Sequence, residues 1–135
     1  MEQRLSFVTL AVRDLAASRA FYIDGLGWEP DLQAPDVLMF RVADKVILSL
    51  WDAESFEAEV GVPPSYGTPP LTLAHNLRTK KGVDSVLETA RRLGAEVRGA
   101  QEREWGGYSG YFSDPDGFRW EICFNPGVIG QSVLP

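Results

Sequence analysis

One cysteine and one histidine are all that this chain of 135 residues holds of the two residue types that most often ligate transition metals. Cys123 has no partner for an internal disulfide, and its neighbours Ile122 and Phe124 predict a buried, reduced thiol rather than a catalytic one. Basic runs are lacking too. Thirteen Lys and Arg against 19 Asp and Glu give a formal charge of -6. The longest basic cluster, Arg78 with Lys80 and Lys81, falls between a strand and a helix, where solvated charge is ordinary, so no nucleic acid is expected as a partner. No apolar run approaches the roughly 20 residues needed to cross a bilayer, and no membrane association is expected. Met1-Glu2-Gln3-Arg4 shows neither the basic patch nor the apolar stretch of a secretory leader, so a cytoplasmic protein is expected.

What is present, 44% hydrophobic and 24% charged residues over a length that supports one core, fits a single globular domain spanning 1–135. From Leu5 to Val12, Val8, Leu10 and Val12 alternate with Phe7, Thr9 and Ala11, which predicts a strand with unlike faces. Asp14 stands as an N-cap before a helix whose Leu15, Ser18 and Tyr22 share a stripe, and Gly25 is its expected stop. Strands Val37 to Val42 and Lys45 to Trp51 follow, joined at Ala43 and Asp44.

The same order recurs from Leu71. A strand runs to Arg78, then a helix carries Val83, Val86, Leu87, Ala90 and Leu93 at helical spacing and closes at Gly94. Glu96 to Arg98, a loop with Trp105, Gly106 and Gly107, and strands Tyr108 to Ser113 and Phe118 to Asn125 complete the second copy. Asp114-Pro115-Asp116-Gly117 has the chemistry of a tight turn between the last two. The repetition predicts an internal duplication, with module one at about 1–52 and module two at about 71–126. The proline-rich stretch from 53 to 70 reads as a linker, either a lid over a site or a plain tether, and 127–135 as a tail.

The segments VTLAVRDLAASRAFYIDGLGW, VDSVLETARRLGAEV and GGYSGYFSDPDGFRWEICFNP, in this order and spacing over most of the chain, resemble the paired βαβββ modules of the vicinal-oxygen-chelate superfamily, which includes glyoxalases, bleomycin-resistance proteins and ring-cleaving dioxygenases. The resemblance implies an α+β fold of two tandem βαβββ modules. Their curved mixed sheets would form a cleft with helices on the outer faces, commonly in a homodimer. It also implies metal ligands on the first and last strand of each module in the metal-dependent members. Carried onto this sequence by strand alternation, those positions fall at Phe7, at Leu48 (or Ser49 if the register differs by one), at Thr72 and at Glu121. Only Glu121 is a good ligand, so no metal and no other cofactor is expected. His75 shares the helix-facing parity of Leu73 and Leu77, and a one-residue slip would be needed to turn it toward Glu121.

The expected cleft lining is Phe7, Thr9, Leu48, Leu50, Thr72, Ala74, Asn76, Glu121 and Cys123, with Trp51, Trp105 and Tyr108 as nearby aromatics. Such a surface suits an apolar or aromatic organic molecule oriented by one or two hydrogen bonds. Three functions stay open on this reading. The chain resembles a bleomycin-resistance protein that binds a compound without transforming it. Alternatively Glu121, its pKa raised in an apolar cleft, serves as general base in a metal-independent isomerase, epimerase or lyase. A metal-dependent lyase or dioxygenase requires different strand registers.

Overall fold

In the computed structural model, which describes residues 1–135, the chain divides into two units, Met1–Tyr66 and Gly67–Pro135. The first contains β1 (Phe7–Val12), α1 (Leu15–Arg19) continuing as a π-helical turn (Ala20–Gly25), β2 (Leu32–Gln33), β3 (Val37–Ala43), β4 (Val46–Asp52) and α2 (Ala53–Val60). The second contains β5 (Thr72–Asn76), α3 (Lys80–Arg92), β6 (Val97–Glu102), β7 (Tyr108–Ser113), β8 (Arg119–Phe124) and α4 (Val128–Ser132). Each unit forms a four-stranded sheet, ordered β1-β4-β3-β2 and β5-β8-β7-β6. In each, the first strand pairs in parallel with the last and the other pairs are antiparallel. The chain is therefore an α+β protein of two mixed sheets flanked by helices, and the identical strand order makes the units tandem βαβββ modules.

In the first unit Asp14 caps α1, its carboxylate accepting from the amides of Ala16 and Ala17 at 2.8 and 3.2 Å. The helix buries Ser18, Phe21 and Tyr22. Tyr22 lies at the centre of an aromatic cluster, 5.3 Å from Trp28 and 5.9 Å from Phe40 between ring centroids. The helix stops at Gly25, as the sequence suggests, with Leu26 as its cap residue. Its last turn widens to a π-turn and the chain reverses at Gly27, which takes the left-handed φ of 73°. The β3–β4 turn also falls one residue later than expected, at Asp44 and Lys45, with an irregularity between Arg41 and Ala43.

In the second unit Thr79 caps α3 by accepting from the Gly82 amide at 3.1 Å, and Val83, Leu87 and Ala90 are buried. Gly94, at φ 83°, ends the helix where the sequence places its stop. The β7–β8 turn is built as its residues predict. Asp114 accepts from the amides of Asp116 and Phe118 at 3.0 and 2.9 Å, and Gly117 takes φ 90°.

Two segments read as irregular are helical. Asp52 caps α2 by accepting from the amides of Glu54 and Ser55, Gly61 ends it at φ 83°, and Phe56 packs edge-on to Trp51 at 6.3 Å. Only residues after Gly61 keep the character of a connection. In the tail, α4 docks through Gly130, which is buried, and through Gln131, whose side-chain amide donates to the Asn125 carbonyl at 2.7 Å.

Candidate functional site

Paired residues on neighbouring strands show the same side of a sheet, so the observed registers assign every strand residue to a face. In the first unit Val8 pairs with Leu48, and Leu10 with Leu50. All but Val8 are buried, Leu48 at 2% and Leu50 at 0% exposure, on the helix-facing side. Leu48 and Leu50 are therefore removed from the candidate site. The open face carries Phe7, Thr9 and Ala11 beside Ile47, Ser49 and Trp51. Phe7 and Thr9 are exposed there, whereas Trp51 is half-buried and donates its indole N–H to Asp36 at 3.3 Å. The strand Ile47-Leu48-Ser49-Leu50-Trp51 bears large apolar residues on both faces. Alternation alone could not orient it; the pairing puts Ser49 on the side of the exposed Phe7 and Thr9, although Ser49 and Ala11 are themselves buried.

In the second unit the expected parity holds. Thr72 pairs with Arg119, Ala74 with Glu121 and Asn76 with Cys123, on the face opposite Leu73, Trp120 and Ile122. His75 pairs with Ile122 and so stays on the helix side, where partial desolvation lowers its pKa from the usual 6.5. Across β7 the open face continues through Ser109, Tyr111 and Ser113, partners of Cys123, Glu121 and Arg119. The Tyr111 hydroxyl donates to the Glu121 carboxylate at 3.1 Å. Burial first, then the Glu121 charge and this hydrogen bond, raise the Tyr111 pKa and keep it a donor at neutral pH. Cys123 is 4% exposed. Burial and the Glu121 charge push its thiol up, so it stays protonated.

Two expected aromatics leave this group. Tyr108 pairs with Phe124 on the helix side and donates to Asp84 of α3 at 2.8 Å, with the Lys80 ammonium 5.7 Å from its ring. Trp105 sits at the tip of the β6–β7 loop, 54% exposed, its ring laid over Gly107. Neither joins the Glu121 face.

What the sequence reading missed is cationic. A pocket of about 720 Å³ opens on this unit, lined by Glu96, Val97, Arg98, Gln101, Arg103, Tyr111 and Arg119. Its size is that of a small-molecule site. The lining is polar, not the apolar surface the sequence suggested. Arg103 is held in place by the buried Ser109, with Nε donating to Oγ and Nη2 to the backbone carbonyl, both at 2.9 Å. The signals for Arg119 and Tyr111 were local and went unused: Arg119 is two residues before Glu121 on one strand, and the Asp114–Gly117 turn sets Tyr111 opposite Glu121.

The resemblance implied metal-ligand positions at Phe7, Leu48 or Ser49, Thr72 and Glu121, and the observed register puts Ser49, not Leu48, on the face that carries Phe7. A phenyl ring has no donor, and two neutral hydroxyls are poor ligands beside one carboxylate. No group of three or more His, Cys, Asp or Glu side chains converges anywhere in the chain. These residues do not fit a metal centre. No helix is long and apolar enough to cross a membrane.

Residues 4–122 match the family described as the Glyoxalase/Bleomycin resistance protein/Dioxygenase superfamily. Among solved structures, a glyoxalase-related enzyme from Fulvimarina pelagi is similar at 34% identity and a TM-score of 0.86, over 93% of this chain and 90% of that one. A glyoxalase/bleomycin resistance protein/dioxygenase from Nocardioides matches at 28% identity and a TM-score of 0.75, covering 94% and 89%. Lactoylglutathione lyase from Agrobacterium tumefaciens matches at 25% identity and a TM-score of 0.70, covering 93% and 96%. No curated protein matches.

Proposed function

Because the chain belongs to the Glyoxalase/Bleomycin resistance protein/Dioxygenase superfamily, we propose that it is a metal-independent small-molecule-binding protein that holds an organic compound on its open sheet surface without transforming it. The observation that carries this reading is the face around Glu121. A pocket of ligand size lies beside it, yet the one carboxylate at a metal-ligand position is engaged by Tyr111 at 3.1 Å. The open face of the first sheet, with Phe7, Ile47 and Trp51, supplies apolar surface suited to a flat ring. Phe7 and Leu32, 52% and 46% exposed, support pairing with a second copy, and the proposed setting is a cytoplasmic homodimer.

Elemental analysis of the purified protein tests the reading first. Nickel, zinc, iron and manganese are each expected far below one per chain, and adding them should leave the thermal midpoint unchanged. A specific site filled at a hundred times its Kd would add about 2.7 kcal/mol, which is readily seen. One metal per chain would overturn the reading and bring metal-dependent lyase or dioxygenase chemistry forward.

The relative from Fulvimarina pelagi is described as an enzyme, so a Glu121-dependent isomerase, epimerase or lyase is the alternative. Glu121 is half-buried and already accepts a hydrogen bond from Tyr111, so it lacks the full apolar enclosure that would suit a general base. Glu121→Gln is expected to change ligand affinity by no more than about fivefold, the scale of one net hydrogen bond. Unchanged affinity with turnover of a bound compound lost by orders of magnitude would instead make Glu121 the base.

A further inference from the structure

We propose that the second unit binds a small organic oxyanion, a carboxylate or phosphate, through Arg98, Arg103 and Arg119; this rests on the small-molecule-binding reading and names its ligand class. Three guanidinium groups line one pocket of about 720 Å³ together with a single carboxylate, that of Glu96. Ion pairs of the chain, among them those of Arg4, Arg41, Lys80 and Arg91, involve other residues. Arg98 and Arg119 make no side-chain hydrogen bond or ion pair within the chain, although Arg119 is half-buried. Arg103 spends Nε and Nη2 on Ser109 and keeps its remaining N–H groups for another acceptor.

A half-buried guanidinium normally has an acidic or carbonyl partner, because burying its charge without one is costly. Its fork matches carboxylate and phosphate oxygens in pairs. In a chain of formal charge -6, three such groups around one cavity form a local exception that an anion would neutralise. Arg103 is also fixed in advance, by Ser109 on one side and by the Tyr111 ring 5.9 Å away on the other, so little order is lost when an anion arrives. Tyr111 itself donates to Glu121, which is not among the residues lining the pocket. The cations are confined to one pocket rather than drawn into a stripe, which favours a small anion over a polyanion.

The test is an NMR titration that follows arginine Nε–H and backbone amide resonances with benzoate, phenyl phosphate and the neutral isostere benzamide as probes. At least one of the two anions is expected to shift Arg103, Arg119 and the amides of β6 to β8 saturably, and to weaken as salt rises. The tighter of the two identifies carboxylate or phosphate as the preferred group. Benzamide should bind at least tenfold more weakly than benzoate. Arg119→Gln should weaken anion binding about tenfold or more, as expected for a lost charge-assisted pair, and Arg119→Lys should lose less. The exposed Arg98→Gln provides a second variant with little risk to folding, and spectra of both variants report whether the sheet is intact. If benzamide and the anions shift the same amides with equal affinity and Arg119→Gln alters neither, the oxyanion inference falls while small-molecule binding stands. If the anions leave the arginine resonances and the amides of β6 to β8 unmoved, the inference falls. If benzamide also fails there, the binding reading falls for this face as well.

Discussion

Gly110→Ala is expected to lower stability by about 2–3 kcal/mol in urea denaturation, the upper range for overpacking a close-fitted site. Gly110 lies on β7 opposite Ile122 and faces α3. A methyl group there would sit 2.6 Å from Leu87 Cδ1, 2.7 Å from the Ala100 backbone nitrogen and 2.8 Å from the Arg98 carbonyl oxygen. Leu87 alone could turn aside. The two backbone atoms cannot, because they belong to β6 where its pairing with β7 is interrupted between Arg98 and Gln101. That strand has to move, and Arg98 and Gln101 line the pocket, so the same variant should also weaken ligand binding. Gly107 provides the contrast. A methyl there meets Trp105 ring atoms at 1.7 and 1.8 Å, a worse overlap on paper, but the ring is 54% exposed and free to swing away. Gly107→Ala should cost less than about 1 kcal/mol. Equal costs for the two variants would show that backbone crowding at β6 does not set the packing of this sheet.

The contrast also shows which parts of the molecule can be read from residues alone. Local chemistry was legible: Asp14, Thr79 and Asp114 cap or turn the chain where their side chains can accept from nearby amides. Duplication was legible because each unit repeats the same periodicities and, as the structure shows, the same strand order. Faces were legible only where one side of a strand was polar. Glu121 beside Trp120 and Ile122 could be oriented, but Leu48 between Ile47 and Ser49 could not, and one residue of register moved it from the open face to the core. The cationic pocket was hidden for another reason. Arg98, Arg103 and Arg119 are spread over β6, the following loop and β8, and regular alternation would put Arg98 and Gln101, three residues apart, on opposite faces; the β6 irregularity brings both to the pocket. Capping helix α2 was masked by the prolines that follow it, although Asp52 and Gly61 were both in place as its cap and stop.

Tyr22→Ala is expected to cost roughly 3–5 kcal/mol, the range for deleting a buried aromatic ring. Tyr22 is 0% exposed and its ring is in contact distance of three others: Phe21 and Trp28 at 5.3 Å and Phe40 at 5.9 Å. Trp28 and Phe40 also touch each other at 5.4 Å, so the remaining rings already support one another and cannot all close on the space left behind. Phe40 is further fixed by β3, whose pairing with β4 places it opposite Leu48, itself 2% exposed. Against a typical total of about 5–15 kcal/mol, the loss is large enough to leave the first unit partly unfolded under mild denaturant. Trp51→Ala should cost less, because Trp51 is only half-buried and its ring meets Phe56 edge-on at a longer 6.3 Å. Hydrogen exchange resolved by residue distinguishes the two cases: for Tyr22→Ala, protection should fall first in β1, β3 and β4 and later in β5 to β8. A cost below about 1 kcal/mol for Tyr22→Ala would mean that the neighbouring rings do collapse into the cavity. The close-packed aromatic cluster would then not be what anchors the π-helical turn to the first sheet.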